Sequence, residues 1–254
     1  MNTKDGKLYL PNVTLAAMSS VDIPETVKAL KYSMRGLEFG DVVIVTHKKP
    51  AFLPAGIRYS HTDRLSSIDD YNYKMIFEFG RHIHTDYVLQ IHADGFVVHP
   101  EMWRDEFLDY DYIGAPWPLP DPSDLVTYRD DSGSLIRVGN SVGIRSKRLL
   151  DYPAAAKMPW DGYTTVNGDY EYNEDIYLCC KHRSQLLAAG ITFAPLEVAR
   201  YFSHEHPIPE TEGITPFMFH KWYGPNSAYP NYLKKSWPVA FARRAVRKIR
   251  RTFS

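Results

Sequence analysis

Hydrophobic residues alternate between two patterns along the first half of the chain. Short continuous apolar runs predict buried strands, and these runs are residues 13–18, 41–46, 57–61 and 87–92. Apolar residues spaced three and four apart predict two helices between the runs, one over residues 24–40 and one over residues 68–82. Strands that alternate with helices at this spacing predict βαβ units and a mostly parallel sheet flanked by helices.

The second half is less regular. It contains further strand patterns at residues 112–115, 138–145 and 191–194. A helix is predicted to begin at Asn173 or Glu174 and to end at Gly190. Residues 151–173 are rich in Tyr, Trp, Gly and Pro and predict a long irregular loop, which in compact domains is usually functional. The pattern favours a single α/β domain over residues 1–233.

Composition agrees with a globular chain but hides a charge asymmetry. Of 254 residues, 44 % are hydrophobic and 24 % charged, which excludes intrinsic disorder. The 30 Lys and Arg residues balance the 30 Asp and Glu residues. Residues 234–254 nevertheless carry eight basic residues and no acid, so residues 1–233 have a net charge of −8. The two cysteines, Cys179 and Cys180, are adjacent, which excludes a disulfide framework.

The basic tail, residues 234–254, predicts an amphipathic helix. Apolar residues recur at every fourth position among the Lys and Arg residues, which is typical of helices that lie on anionic membranes. The residues expected at the membrane are Trp237, Phe241, Arg244, Arg247, Lys248 and Arg251. A nucleic-acid patch and a solvated terminal helix are the alternatives, and the acidic body disfavours nucleic acid. No signal core or membrane span is evident, so we expect a cytoplasmic protein at the inner face of the membrane.

Three acidic residues occupy positions suited to chemistry. Asp94 follows a strongly apolar strand, where a carboxylate can hold a hard cation that bridges phosphates. The alternative is a turn aspartate, because Asp-Gly is a common turn pair. Glu174 and Asp175 begin a helix, so they are either helix-capping acids or a general base for a hydroxyl nucleophile. Placement at a helix start is expected to lower the pKa of such a base and keep it ionised.

Histidines and loop aromatics give further candidates. His-x-His pairs occur at residues 82–84 and 204–206, and either could chelate a metal on a strand. His220 lies in an aromatic run, where packing is the alternative to ligation. Trp160 and Tyr163 could stack on sugar rings, or anchor their loop to the core. Phosphate-loop, Gly-x-Gly-x-x-Gly and His-Glu-x-x-His motifs are missing, which disfavours nucleotide-dependent kinases, classical dehydrogenases and zinc proteases.

The order of five motifs is more specific than any one of them. They read HADG at 92–95, YDYIGAPW at 110–117, VGNSVGIRS at 138–146, NEDIY at 173–177 and FMFH at 217–220. Together they resemble a bacterial glycosyltransferase-like family of unknown function, of GT-A type, found in surface-polysaccharide gene clusters. The resemblance covers roughly residues 10–225.

The resemblance implies a GT-A-like fold and a role for each motif. In GT-A enzymes an Asp-x-Asp motif holds a divalent cation, Mn²⁺ or Mg²⁺, on the donor diphosphate. Here only Asp94 remains of that motif, and His92 stands in place of the first acid. The resemblance further implies that His220 is a metal or diphosphate ligand and that Asp175, beside Glu174, is the catalytic base. The implied donor-binding residues are His92, Asp94, Gly95, Gly139, Asn140 and Ser141, and the implied acceptor-binding residues are Trp160 and Tyr163.

The function that follows is transfer of a sugar from a nucleotide-sugar donor, with UDP favoured. The acceptor would be a hydroxyl of a glycan or lipid-linked glycan in surface-polysaccharide synthesis, such as O-antigen or capsule. Displacement by that hydroxyl would invert the anomeric centre. The alternatives are a noncatalytic carbohydrate- or nucleotide-binding module and a metal-dependent phosphohydrolase, which would need at least three convergent ligands.

Overall fold

The computed structural model describes residues 3–4, 6–121, 128–164 and 170–234. The strands are β1 (Thr3–Lys4), β2 (Lys7–Met18), β3 (Leu37–Thr46), β4 (Arg58–His61), β5 (Tyr87–Gln90), β6 (Tyr112–Pro116), β7 (Val138–Ser146), β8 (Tyr163–Thr164), β9 (Tyr170–Glu171), β10 (Ser203–His204) and β11 (Met218–Phe219). The helices are α1 (Ile23–Ser33), α2 (Ile68–Phe77), α3 (Lys147–Ala155), α4 (Glu174–Ile176), α5 (Arg183–Ala188) and α6 (Leu196–Phe202). Short 3₁₀ turns are Phe79–His82, Pro100–Met102, Asp105–Leu108, Pro209–Thr211 and Gly224–Ala228.

The central sheet has the order β4-β3-β2-β5-β7-β6, with β1 added beside β2. Pairing is parallel from β4 through β5 and antiparallel between β5, β7 and β6. The fold is therefore the mixed, mostly parallel α/β sheet that the alternating pattern predicts. In such open sheets ligands bind beyond the carboxyl ends of the parallel strands, which here are the ends of β2 and β5.

Helices cover both faces of the sheet. Leu15, Ile44 and Leu89 point to a large core beneath α1 and α6, and Ala16, Val43 and Val88 point to the opposite core. This alternation is the period of two that places successive strand residues on opposite faces. Helices α2 and α3 each begin with a serine N-cap, because the hydroxyls of Ser67 and Ser146 accept hydrogen bonds from the backbone amides three positions further on.

Two of the predicted secondary-structure elements have different bounds in the structure. Helix α1 ends at Ser33, and Gly40 lies inside β3 rather than at the end of the helix. A Cβ at residue 40 would sit 2.0 Å from the carbonyl oxygen of Pro11, so this glycine allows β2 and β3 to approach where their register shifts. The predicted strand at residues 191–194 is reduced to one bridge, between Tyr112 and Phe193.

The predicted helix at 174–190 is interrupted by a π turn. Helix α4 runs into Tyr177–Lys181, where the His182 amide donates to the carbonyl of Tyr177, five residues earlier, at 3.0 Å. Helix α5 follows and ends before Gly190, which has a φ of +80°. A π turn holds one residue more than the α-helix needs, and such turns are frequent at functional sites.

Candidate functional site

A cleft of about 670 Å³ opens beyond the carboxyl ends of β2 and β5. The loop after β2 and the start of α2 form one side, and the start of α4 forms another. Strand β7 runs antiparallel to β5, so Asn140 and Ser141 near its beginning lie at the same end of the sheet. The cleft therefore occupies the position at which α/β sheets bind ligands.

Two chain segments bring His92, Asp94 and His220 together. Residues 92–95 form a tight turn in which the His92 amide donates to the carbonyl of Gly95 at 2.8 Å. The segment that carries β11 lies beside this turn, and its Lys221 amide donates to the carbonyl of Asp94 at 2.8 Å. Ligand atoms of His92, Asp94 and His220 then all lie within 4.8 Å of one another.

The two oxygens of Asp94 have different partners. Oδ2 accepts a hydrogen bond from Nζ of Lys221 at 2.6 Å. Oδ1 faces both imidazoles, 4.0 Å from Nδ1 of His92 and 3.7 Å from Nε2 of His220. Burial raises the pKa of Asp94, but the charge of His220 and the hydrogen bond from Lys221 outweigh it, so the pKa lies below its usual value. Asp94 is therefore an ionised candidate ligand, and its Oδ1 is not engaged by Lys221.

The ring of His92 is held from its far side. The Tyr71 hydroxyl lies 2.7 Å from Nε2 of His92, which leaves Nδ1 facing Asp94. Burial, followed by the charge of His220, lowers the pKa of His92 to about 3, so its imidazole is neutral at physiological pH. A neutral imidazole is the form that ligates metals.

These residues fit a divalent cation. Nε2 of His220 is buried and has no hydrogen-bond partner among the described residues, although a buried ring nitrogen normally has one. It faces the same space as Asp94 Oδ1 and His92 Nδ1. Two imidazoles and one carboxylate are a donor set that binds first-row metals. His92, Asp94 and His220 are thus the residues that would hold a metal.

Gly95 and Asn140 shape the back of the cluster. A Cβ on Gly95 would lie 2.7 Å from Cδ2 of His220, so only glycine leaves room for that ring. Asn140 has a φ of +117°, and its Nδ2 donates to Oε2 of Glu205 at 2.5 Å. Oε1 of the same Glu205 lies 3.2 Å from Nδ1 of His220. Asn140 and Glu205 therefore connect the β7 wall of the cleft to the candidate ligand His220.

Glu174 and Asp175 also line the cleft, and their surroundings differ. Glu174 is 2 % exposed and lies 3.4 Å from the guanidinium of Arg145, itself 1 % exposed. Asp175 is half-buried and accepts a hydrogen bond from the Ile176 amide at 2.8 Å. Burial and the neighbouring charge of Glu174 raise the pKa of Asp175 to about 8. The prediction that the helix start keeps this carboxyl ionised is wrong, because desolvation outweighs the single amide hydrogen bond.

Gly139, Trp160 and Tyr163 lie outside the set of cleft-lining residues. A Cβ at Gly139 would overlap the Trp117 ring, so this glycine allows β7 to pack on the core. The Trp160 ring stacks on Tyr172 at 4.7 Å, within a group of aromatic side chains behind α4. The Tyr163 hydroxyl accepts from Nδ2 of Asn173 at 2.9 Å, which places it one residue from the cleft wall.

The His-x-His pairs do not join the metal cluster of the described residues. His82 lies in a 3₁₀ turn and contacts Ser60 at 2.7 Å, while His204 contacts the carbonyl of Arg200 at 2.7 Å. His206 stacks on the ring of Tyr223.

The tail residues 235–254, with all six expected membrane contacts, lie outside the described residues. Among the residues described, no helix combines the length and apolarity needed to cross a bilayer.

Four residues of the site escape the sequence reasoning: Tyr71, Arg145, Glu205 and Lys221. Glu205 stands between His204 and His206, and the His-x-His pattern singles out only the two histidines as candidate ligands. Lys221 directly follows His220, so a search around that candidate ligand could have found it. Tyr71 carries no local signal, because only the packing of α2 brings it to the cleft. Arg145 lies within the motif at residues 138–146, but its contact with Glu174 depends on how β7 packs against α4.

Comparison with solved structures defines the class of fold. The chain matches an active-site mutant of LgtC with a TM-score of 0.51 and 13 % identity, over 86 % of this chain and 92 % of that one. The galactosyltransferase LgtC in complex with donor and acceptor sugar analogs matches with a TM-score of 0.47 and 13 % identity, over 84 % and 87 % of the chains. The fold is that of GT-A glycosyltransferases.

The chain also matches a sequence family over most of its length. Residues 55–220 match the family described as protein of unknown function DUF5672, and the chain belongs to this family. Glycosyltransferase GlyE of Streptococcus pneumoniae TIGR4 in its apo form matches with a TM-score of 0.45 and 10 % identity, over 94 % of this chain. The chain spans 64 % of the GlyE chain. No curated protein sequence matches the chain.

Proposed function

We propose that the protein is a glycosyltransferase that moves a sugar from a nucleotide-sugar donor to a hydroxyl group of a glycan or lipid-linked glycan. One observation carries this proposal: the cleft of a GT-A fold holds a cluster of candidate cation ligands and Lys221 together with a separate, acidic wall. Group transfer from a diphosphate needs both a stabiliser of the leaving group and an acceptor of a proton. UDP as the nucleotide and a surface polysaccharide as the product are part of the proposal.

The residues divide the reaction between them. Negative charge grows on the diphosphate as the bond between the anomeric carbon and its oxygen breaks, and Lys221 with its ammonium group can bind that charge. A divalent ion held by His92, Asp94 and His220 would supply further electrostatic stabilisation when bound. The acceptor oxygen forms the new bond to the anomeric carbon on the opposite face, and its proton passes to the carboxylate of Asp175. One displacement of this kind inverts the anomeric centre.

The raised pKa has two opposite effects on Asp175 as a general base. A carboxyl with a pKa of about 8 accepts a proton more readily than an ordinary carboxylate, yet a majority of molecules hold it protonated at pH 7. Glu174 is buried and its carboxylate lies against Arg145, so it is not available to accept the proton of the acceptor. Its negative charge instead helps to raise the pKa of Asp175.

Release of nucleoside diphosphate tests the proposal directly. The protein is incubated with a panel of UDP-sugars and Mn²⁺, with and without oligosaccharide acceptors, and free UDP is measured. We expect slow donor hydrolysis that is accelerated by an acceptor, and a loss of about 10²- to 10⁴-fold in Asp175→Asn with donor binding retained. Asp131→Asn is the matched control, because Asp131 is exposed and accepts a hydrogen bond from the Ser184 hydroxyl at the surface. Turnover of Asp175→Asn at the rate of this control would exclude Asp175 as the base, and no turnover with any donor would favour a binding module.

A further inference from the structure

We propose that Glu205 positions His220 so that the cluster of His92, Asp94 and His220 binds a divalent transition-metal ion in preference to Mg²⁺. The inference deepens the proposed function by naming the class of the cofactor and the residue that prepares its site. It is tested by metal binding alone, so a failure of sugar transfer and a failure of this inference are distinguishable.

The first step is the direction of the His220 ring. Its two nitrogens are both buried and face opposite carboxylates, Nδ1 at 3.2 Å from Oε1 of Glu205 and Nε2 at 3.7 Å from Oδ1 of Asp94. Nδ1 makes no regular hydrogen bond among the described residues, and Oε1 of Glu205 is a carboxylate oxygen within reach of it. With its hydrogen on Nδ1, the ring donates to Glu205 and offers the lone pair of Nε2 to a metal.

The second step is the orientation of Glu205 itself. The side-chain oxygen of Asn140 accepts from the Val142 amide at 3.0 Å, so the nitrogen of that amide group must face Glu205. This nitrogen donates to Oε2 at 2.5 Å and leaves Oε1 for His220. The hydrogen-bond polarity therefore runs in one direction, from Asn140 to Glu205, and Glu205 can only accept from His220.

The third step is the composition of the donor set. His92 presents Nδ1 because Tyr71 occupies its Nε2, and Asp94 presents Oδ1 because Lys221 occupies its Oδ2. The ion would thus meet two imidazole nitrogens and a single carboxylate oxygen. Imidazole favours first-row transition metals, whereas Mg²⁺ binds oxygen ligands and surrenders its water reluctantly.

The experiment measures binding of Co²⁺ and Mg²⁺ to the full chain by calorimetry, with the visible absorption of Co²⁺ as a report on its ligands. We expect Co²⁺ to bind at least about tenfold more tightly than Mg²⁺. In Glu205→Gln, the Gln oxygen must face Asn140 and its amino group must face Nδ1 of His220. The ring hydrogen then moves to Nε2 and blocks ligation, so Co²⁺ affinity should fall by about 10- to 100-fold.

A second variant separates this effect from loss of charge or misfolding. Adding Asn140→Asp to Glu205→Gln restores the total charge and places a carboxylate at position 140. The Gln amino group can then donate to this carboxylate, so that the Gln oxygen again accepts from His220. We expect the double variant to recover most of the lost Co²⁺ affinity.

Glu212→Gln is the matched control for these measurements, because Glu212 is exposed. It should bind Co²⁺ and Mg²⁺ as the wild type does. Equal affinity for Mg²⁺ and Co²⁺, wild-type Co²⁺ binding in Glu205→Gln, or no recovery in a folded double variant would each overturn the inference.

Discussion

Replacing Asp175 by Asn should stabilise the protein, and the gain should grow with pH. The folded protein holds the pKa of this carboxyl at about 8, whereas the unfolded chain has the ordinary value of 3.8. Between these values the folded state binds more protons than the unfolded state, so the free energy of unfolding falls as pH rises. Below the unfolded pKa the penalty is absent, and above about pH 8 it is complete. Asn mimics the protonated carboxyl and removes this dependence.

The magnitude follows from the same linkage. Each pH unit within the window is worth at most about 1.4 kcal/mol, so the difference between Asp175→Asn and wild type should increase by about 2–3 kcal/mol from pH 5.5 to pH 8. Urea unfolding followed by circular dichroism measures it at both pH values. Asn can still accept the hydrogen bond from the Ile176 amide, so that contact is preserved. A stability difference that does not change with pH would refute the reasoning.

The neighbouring acid provides the contrast. Glu174→Gln makes the same chemical change one residue earlier, but it leaves the buried guanidinium of Arg145 without its carboxylate. Loss of one partner from a buried ion pair costs about 3–5 kcal/mol. The two amide variants should therefore shift the urea midpoint in opposite directions at pH 8. Midpoints that shift the same way would mean that the two acids share one environment.

Three further outcomes are expected. The rate of sugar transfer should rise with pH up to about 8 and then level off, because only deprotonated Asp175 accepts the proton; a flat profile between pH 6 and pH 9 would exclude this role. Lys221→Met should raise Co²⁺ affinity and weaken UDP binding, because it frees Asp94 and removes a cation, and calorimetry measures both; unchanged affinities would contradict it. Deleting residues 234–254 should abolish sedimentation with anionic vesicles, since each basic residue contributes about 1 kcal/mol, and equal binding by the truncated protein would refute the membrane role.

The sheet could be predicted because its strands are buried on both faces. A strand that is covered on both faces has no polar side, so it shows in the sequence as a continuous apolar run, as β3 and β5 do. The errors come from contacts between segments: Gly40 looks like a helix terminator, but the carbonyl of Pro11 is what requires it. Local pattern carries no information about such an approach.

The candidate site could be predicted only in part. Asp94, His92 and His220 are brought together as the order of motifs implies, and they share one cluster. The environment of Asp175 could not be predicted, because its pKa depends on burial and on the charge of Glu174 rather than on the helix start. Glu205 could not be predicted either, because it contacts Asn140 and His220, two residues that are 65 and 15 positions away in the sequence.

The π turn at Tyr177–Lys181 restricts how this region can change in length. One residue of helix corresponds to a rotation of about 100°, so losing or gaining a residue here would turn α5 by that angle relative to the acids of α4. Leu186, now fully buried, would leave the core, or Glu174 would leave Arg145. Insertions and deletions are therefore far more disruptive between residues 174 and 188 than substitutions. The spacing between the acidic wall and Leu186 is a length that related chains are expected to keep.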